Sequence, residues 1–325
     1  MRSTLHILFT SISACLLLLT TSVAQVSGEH PQSSDVPPQA TAVHYTVRTF
    51  SSSFSVNQVD ITNTSKSGFK WYPYQFFGAH TKLSSIDLNS DGSVTLLGDT
   101  TGPNGELATA SWTGTPGGFV GTAFGGGGYF EATFKFDPKD VIKNNFNGWP
   151  SWWSMGIEHM VNLDTRQWPG QEKDYEHFIE ADFFEYDLRD YAGRGKMNYF
   201  GGALHDWFGL PGDRYSLVTL PNSLVVREVP AKTDFTQYHR YGFLWVPATS
   251  TRDGYAEHYF DGRRVGRRVA WRQYTNQAPP PRPPWMFSII DHNHLVLILG
   301  TGLNEPMTVL SVNVWQASDA HNMKR

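Results

Sequence analysis

Short apolar runs separated by turn signals are the feature that most constrains how this chain can fold. Turn signals such as Ser90-Asp91-Gly92 and Phe260-Asp261-Gly262 lie between runs that are rich in aromatic and β-branched residues. Apart from one turn near residues 137–144, no segment has the 3.6-residue apolar period of an amphipathic helix. About twelve strand-like runs with almost no helix predict an all-β protein, an antiparallel sandwich of two sheets or a jelly roll. The runs include SVTLLG (93–98), GYFEATFKF (128–136), SWWSMGI (151–157), RYGFLWV (240–246), MFSII (286–290) and LVLILG (295–300).

The first 24 residues have the pattern of a secretory signal peptide. Arg2 provides a positive start, an apolar stretch runs from Leu5 to Leu19, and Ser22-Val23-Ala24 ends it with small residues. We therefore expect a secreted, extracellular protein whose mature chain starts at Gln25. A periplasmic protein, or one lipid-anchored at Cys15, is the alternative.

The rest of the chain predicts one domain. Residues 25–42 are polar and contain several prolines, which predicts a flexible leader. Residues 43–325 contain no internal repeat, no linker and no stretch long and apolar enough to cross a membrane. We expect a single domain over this range, a monomer without membrane association.

Composition excludes several kinds of chemistry. The chain carries a net charge of −4, and this mild acidic excess argues against nucleic acid as a partner. Cys15 is its single cysteine, which excludes an internal disulfide, zinc sites built on cysteine and, after cleavage, a cysteine nucleophile. Eleven tryptophans offer core volume, and also flat faces for sugar rings.

The segment HFIEADFFEYD (177–187) places three acids in an apolar strand-like run. Strand alternation puts Glu180 and Asp182 on one face and Glu185 on the other. One extra residue at Phe183 or Phe184, a β-bulge, would bring all three acids to one face and pack both rings behind them. Carboxylates so close repel one another, which favours a proton on one of them near neutral pH. A solvated acidic face is the simpler alternative, and the residues of this segment alone do not decide between the two.

The same six residues, 180–185, resemble the bulged E-x-D-x-x-E signature of family 16 glycoside hydrolases. Other stretches resemble motifs of that family in the same order, so that the resemblance extends over roughly residues 90–316. They are GYFEATFKF (128–136), GWPSWW (148–153), Leu204-His205, YHRYGFLW (238–245), YFDG (259–262) and the closing run from Met307 to Gln316.

This resemblance implies a fold and a mechanism. The fold is a concanavalin-A-like sandwich with a substrate cleft across its concave face. By motif position Glu180 would be the nucleophile of a retaining endo-hydrolase, Glu185 the general acid/base with a raised pKa, and Asp182 the group that assists Glu180. No cofactor is required; relatives carry a structural calcium ion, but no ligands for one are identified. Asp87–Gly98 has no glutamate at the twelfth position of a calcium loop, which favours a hairpin turn there.

Five further residues are candidates for binding the sugar chain. Motif position points to Trp149, Trp153 and Trp245, and an insertion at 158–177 adds Trp168 as a wall of the cleft. His205 would hydrogen-bond either a sugar hydroxyl or Asp182.

Several substrate classes are compatible with the resemblance. β-1,3- or β-1,3/1,4-glucan is the first candidate, and a red-algal galactan (agar, porphyran or carrageenan) is the second. Transglycosylation through the same intermediate, a non-catalytic lectin and a polysaccharide lyase are further alternatives. The arginine-rich stretch 263–272 predicts an exposed hairpin, and would indicate sulfated or uronic substrates if it faced the cleft.

Overall fold

The computed structural model describes eleven parts of the chain, and residues 32–325 form one compact unit. The described residues are 36–74, 81–98, 105–143, 150–163, 173, 175–186, 198–210, 216–219, 227–273, 289–300 and 306–325. Residues 1–24, the predicted signal peptide, lie outside them.

Two eight-stranded antiparallel sheets form the body of the fold. Sheet 1 has the order β12-β11-β10-β9-β17-β5-β2, and β13 pairs with β11. Its strands are β2 (Tyr72–Pro73), β5 (Glu106–Ala108), β9 (Ser151–Gly156), β10 (Glu176–Glu185), β11 (Tyr199–Gly209), β12 (Ser216–Thr219), β13 (Arg227–Glu228) and β17 (Leu295–Gly300).

Sheet 2 has the order β16-β15-β14-β8-β18-β4-β3, and β1 pairs with β18. Its strands are β1 (Val47–Ser52), β3 (Ile86–Leu88), β4 (Val94–Leu96), β8 (Gly128–Phe136), β14 (His239–Val246), β15 (Gly254–Phe260), β16 (Arg263–Trp271) and β18 (Met307–Gln316).

Smaller elements complete the described structure. A three-stranded sheet contains β6 (Ala110–Trp112), β7 (Phe119–Ala123) and β19 (Met323–Lys324). The helices are α1 (Pro38–Thr41), α2 (Pro138–Lys143) and α3 (Ile157–Met160), with 3-10 turns at Leu83–Ser85 and Ile289–His292. No helix among the described residues is long and apolar enough to cross a membrane.

Sheets 1 and 2 bury the main apolar core between them, as strand alternation requires. Phe183 of β10 stacks on Phe243 of sheet 2 with ring centroids 4.3 Å apart, and lies 5.7 Å from Phe130. The opposite face of sheet 1 packs partly against a second apolar cluster that includes Phe119 of the small sheet and Ile157 of α3. Sheet 1 is therefore covered on one face by sheet 2 and on part of the other by these smaller elements.

The predicted all-β sandwich is confirmed, as are its two tight hairpins. Asp91 accepts hydrogen bonds from the backbone and hydroxyl of Ser93 at 3.0 and 2.7 Å and so shapes the β3–β4 turn, where the calcium-loop alternative had been rejected. Asp261 and Gly262 adopt positive φ values of 48° and 78° between β15 and β16. Both φ values lie in the left-handed region, which aspartate and glycine tolerate better than most residues.

Two expectations need correction. The predicted flexible leader ends in helix α1, where Pro38 occupies the first helical turn and Ala40 is fully buried beside the outer face of sheet 2. The predicted strand MFSII is not a strand in its described part, since a 3-10 turn begins at Ile289. Helices of four residues bury too few apolar side chains to produce an apolar period in the sequence.

Candidate active site

Strand β10 contains a β-bulge between Asp182 and Glu185. On β11, Asp182 pairs with Ala203 and Glu185 pairs with Gly201, so Phe183 and Phe184 both lie opposite the single residue Gly202. The register of β10 against β9 shifts over the same residues. Two residues opposite one is the defining pattern of a bulge, and the predicted bulge is confirmed.

The bulge turns both aromatic side chains to the same side of sheet 1. Phe183 and Phe184 are buried in the core between the sheets, at 1% and 0% exposure. The strand thereafter resumes alternation with its phase shifted, which brings Glu185 to the face that carries Glu180 and Asp182. The fold thus produces an acid row of Glu180, Asp182 and Glu185.

The three acids differ in their access to solvent. Glu180 and Glu185 are half-buried, whereas Asp182 is 2% exposed. The two outer carboxylates can therefore meet a ligand from solvent, and the middle one can act on it only through its neighbours.

Trp207 is the direct partner of Glu180. Its indole Nε1 donates a hydrogen bond of 2.6 Å to Oε2 of Glu180. The indole ring lies parallel to Phe178 with centroids 6.3 Å apart, and Phe178 in turn stacks on His159 at 3.7 Å. His159 contacts the carboxylate of Glu176, so this row of stacked rings is tied down at its far end.

Sequence reasoning missed Trp207, although a signal was present. Trp207 stands two residues after His205, and alternation along β11 puts both side chains on the acid face. His159 and Phe178 are separated in sequence and carry no motif, so only the tertiary structure brings them together.

Two histidines hold Asp182 from opposite faces of the sheet. On the acid face, His205 Nε2 lies 3.1 Å from Oδ2 of Asp182, which is one of the two roles expected for it. From sheet 2, the buried His258 donates its Nε2–H to the backbone carbonyl of Asp182 at 3.1 Å. Gly202 leaves room for that ring, because a Cβ there would lie 2.4 Å from His258 Nε2.

Burial and mutual repulsion shift Glu180 and Asp182 toward their protonated forms. Burial, and after it the charge of Asp182, raises the pKa of Glu180 to about 8, against the opposing effects of His205 and the Trp207 hydrogen bond. Burial, and after it the charge of Glu185, raises the pKa of Asp182 well above its usual range. These directions support the expectation that the row holds a proton near neutral pH, and the deepest burial falls on Asp182.

The predicted sugar-binding tryptophans differ in position and burial. Trp153 lies opposite Asp182 on the acid face but is only 7% exposed, packed in the cluster that covers part of that face. The prediction that Trp245 binds sugar is wrong. Its side chain is fully buried between the sheets, where Nε1 donates a hydrogen bond to Asp291 Oδ1 at 2.8 Å, so it cannot reach a sugar. Trp149 and Trp168 lie outside the described residues.

No group of three or more histidine, cysteine, aspartate or glutamate residues is placed to hold a metal ion in the part of the chain that the structure describes.

The structure is similar to solved structures of known hydrolases. It shares 12% identity and a TM-score of 0.50 with the beta-porphyranase BpGH16B of the human gut bacterium Bacteroides plebeius, over 84% of this chain and 90% of that chain. The values for an endo-1,3-beta-glucanase of Streptomyces sioyaensis are 15% identity, TM-score 0.47, and coverage of 86% and 97%. A family 16 endo-glucanase of Bacteroides ovatus shares 14% identity and a TM-score of 0.39, over 72% of this chain and 87% of that chain.

No protein-family model matches the chain, and no curated protein matches it in sequence. At such low identities, the likeness to BpGH16B concerns the fold. The chain has the jelly-roll fold of family 16 glycoside hydrolases, as the motif resemblance predicted.

The raised pKa of Glu180 gives the protein a pH-dependent stability. Because folding raises this pKa from 4.5 to about 8, the stabilising contribution of the proton is complete below pH 4.5 and is lost as the pH rises through 8. Glu180→Gln cannot ionise and keeps an oxygen for Trp207. Relative to wild type, we expect this variant to gain roughly 2–4 kcal/mol of unfolding free energy between pH 4 and pH 9.

Urea unfolding at both pH values measures this gain. Asp319→Asn, at an exposed position, is the control and should change little with pH. A Glu180→Gln difference from wild type that is the same at pH 4 and pH 9 would contradict the shifted pKa.

His258 should stabilise the bulge through its donated hydrogen bond. His258→Leu leaves the buried carbonyl of Asp182 without this donor, whereas His258→Gln retains an N–H group at a similar reach. We expect the free energy of unfolding of the leucine variant to be about 1–3 kcal/mol lower than that of the glutamine variant. Equal unfolding free energies in urea would show that the hydrogen bond contributes nothing.

Proposed function

We propose that this protein is a retaining endo-glycoside hydrolase that cleaves a β-linked polysaccharide. The observation that carries the proposal is the bulge of β10, which brings Glu180, Asp182 and Glu185 to one face with the two outer acids open to solvent. Retaining glycosidases need two carboxyl groups about 5–5.5 Å apart, one as nucleophile and one as acid/base. A binding protein needs neither, so the acid row favours an enzyme over a lectin.

In the proposed first step, Glu185 donates its proton to the leaving glycosidic oxygen while Glu180 attacks the anomeric carbon. The bond from that carbon to the leaving oxygen breaks, and a glycosyl ester forms on Glu180. Trp207 occupies Oε2 of Glu180 with its hydrogen bond, which leaves Oε1 as the attacking atom. Stacking on Phe178 keeps the indole in this position.

In the second step, Glu185 accepts a proton from water, whose oxygen attacks the anomeric carbon as the ester bond to Glu180 breaks. The sugar leaves with retained configuration and both carboxyl groups return to their starting states.

Asp182 has a supporting role in this proposal. Glu180 must be ionised to attack, although burial and the charge of Asp182 raise its pKa. If the deeply buried Asp182 carries the proton, its charge no longer opposes ionisation of Glu180, and His205 and Trp207 then favour the carboxylate. Asp182 thereby adjusts the charge of the nucleophile without touching the substrate.

For the substrate, we propose β-1,3- or β-1,3/1,4-glucan first and a red-algal galactan second. Incubation with laminarin, mixed-linkage glucan, agarose, porphyran, carrageenan and xyloglucan, followed by detection of new reducing ends, decides between them. Cleavage of one polymer by wild type and by the surface control Asp319→Asn, but not by Glu180→Gln, is the expected result. No cleavage of any polymer, with binding equal in wild type and Glu180→Gln, would overturn the proposal and leave a carbohydrate-binding protein.

The two glutamates can be told apart with a leaving group that needs no protonation. Glu185→Gln should lower cleavage of the polysaccharide about 10²–10⁴-fold. It should still release dinitrophenol rapidly from the dinitrophenyl glycoside of an oligosaccharide of that polymer. Glu180→Gln should lose both reactions. If Glu185→Gln also fails on the activated glycoside, the assignment of Glu185 as the acid is wrong.

We also propose that the enzyme is secreted and acts as a monomer on its polymer. The positive, apolar and small-residue pattern of residues 1–24 supports export. N-terminal sequencing of the protein from the culture medium should begin at Gln25, and a sequence that begins at Met1 would contradict export through this segment.

A further inference from the structure

Strand β16 and the residue after it, Arg272, concentrate positive charge on an otherwise acidic chain. The ten residues 263–272 include five arginines (263, 264, 267, 268 and 272) and no acid, while the chain as a whole carries a net charge of −4. All five are exposed. We call these five residues the arginine row.

The arginine row lies away from the acid row. β16 is the edge strand of sheet 2, whereas the three acids belong to β10 of sheet 1. The arginines therefore lie at exposed positions along the edge of sheet 2 and not on the acid face of sheet 1.

Two residues of the arginine row, Arg264 and Arg268, are held by side chains of the neighbouring strand β15. The buried carboxylate of Glu257 on β15 accepts 2.8 Å hydrogen bonds from Arg264 Nη1 and Arg268 Nε, and a third of 2.7 Å from the Tyr259 hydroxyl. The Arg268 guanidinium carbon lies over the Tyr255 ring, 3.8 Å from its centroid. Both guanidinium groups remain about half exposed, at 54% and 48%.

Although burial opposes ionisation of Glu257, the hydrogen bonds from Tyr259, Arg264 and Arg268 keep its pKa below the usual value. The carboxylate is therefore charged and offsets only one of the five positive charges. Arg263 and Arg267 make no ion pair with any residue that the structure describes. The row retains a net positive charge.

Charged side chains on an edge strand also prevent sheets from pairing edge to edge. That purpose needs charge alone, and mobile lysines serve it. Here two guanidinium groups are instead fixed by a buried carboxylate and an aromatic ring, which reduces the entropy they lose when an anion binds.

The length of the row indicates a polymer. A strand rises about 3.3 Å per residue, so residues 263–272 extend at most about 30 Å along the sheet edge. The bulge that residues 266–268 form opposite Glu257 shortens this length. The arginines are still spread widely enough to meet repeated anionic groups along a chain. A planar guanidinium matches the paired oxygens of sulfate and carboxylate.

We propose that the arginine row is a second binding surface, which holds a sulfated or carboxylated polysaccharide outside the catalytic face. The choice of a polysaccharide over other polyanions rests on the proposed function and agrees with the overall negative charge of the protein. Binding at the row itself requires no hydrolysis. Its consequence is that the enzyme stays on a charged matrix while the acid row acts on a nearby chain.

Dextran sulfate and dextran test the proposal, because they share an α-linked backbone and differ in sulfate alone. Binding of the full chain is measured by affinity electrophoresis in gels that contain either polymer, at low and high salt. We expect dextran sulfate to retard the wild type at low salt, high salt to abolish the retardation, and dextran to have no effect. No retardation of the wild type by dextran sulfate would overturn the proposal.

Arg263→Gln/Arg267→Gln removes two charges that Glu257 does not hold, so the fold should be retained, as thermal unfolding will verify. We expect its affinity for dextran sulfate to fall at least about fivefold, with a shallower dependence on salt, because two fewer ions are exchanged. The matched control Lys139→Gln/Lys232→Gln removes the same net charge at exposed positions elsewhere and should bind like wild type. Equal loss in both variants would show a response to net charge alone and overturn the site.

Two further outcomes are informative. If double-stranded DNA binds the wild type as tightly as dextran sulfate does, the assignment to polysaccharides is wrong. If Glu180→Gln abolishes hydrolysis of the β-linked polymer but leaves dextran sulfate binding unchanged, as we expect, the surface is independent of the cleft. Failure of the catalytic proposal would leave this binding result intact.

Discussion

The organisation of the candidate active site depends on a single extra residue in strand β10. Phe183 and Phe184 face Gly202 together, and both rings enter the core between the sheets. Without this bulge, strict alternation would send Glu185 into the apolar core, where an unpaired carboxylate is costly. Burial of two phenylalanines and exposure of the third acid are thus two consequences of the same backbone irregularity.

The same region must also satisfy the polar groups that the bulge disturbs. The carbonyl of Asp182 receives its hydrogen bond from His258, a side chain of the other sheet, because Gly202 has no Cβ to exclude the ring. The Asp182 carboxylate is buried close to His205, and Glu180 is held by Trp207. Burial disfavours the charged forms of Glu180 and Asp182 and so raises their pKa values. The site is therefore less stable when these groups are ionised.

The acid row and the arginine row lie on different sheets. Sheet 1 carries acids whose burial shifts their ionisation, and the edge of sheet 2 carries exposed arginines fixed by Glu257. Arginines close to the acid row would lower the raised pKa values of Glu180 and Asp182, and this separation avoids that effect.

The sequence by itself determined the all-β class, because turn signals and strand-like runs recur along the whole chain. It also identified the three acids and a possible bulge at Phe183 or Phe184. Local alternation left a solvated acidic face as an alternative, and the resemblance of residues 180–185 to the family 16 signature favoured the bulge. It also located the hairpin turns at Asp91 and Asp261, whose side-chain and backbone preferences act over a few residues. Only the tertiary structure decided that Trp245 is buried, that residues 38–41 form a packed helix, and that Trp207 and His258 serve the acids. Those outcomes depend on contacts between strands distant in sequence, and no local pattern encodes which side chains meet across a sandwich.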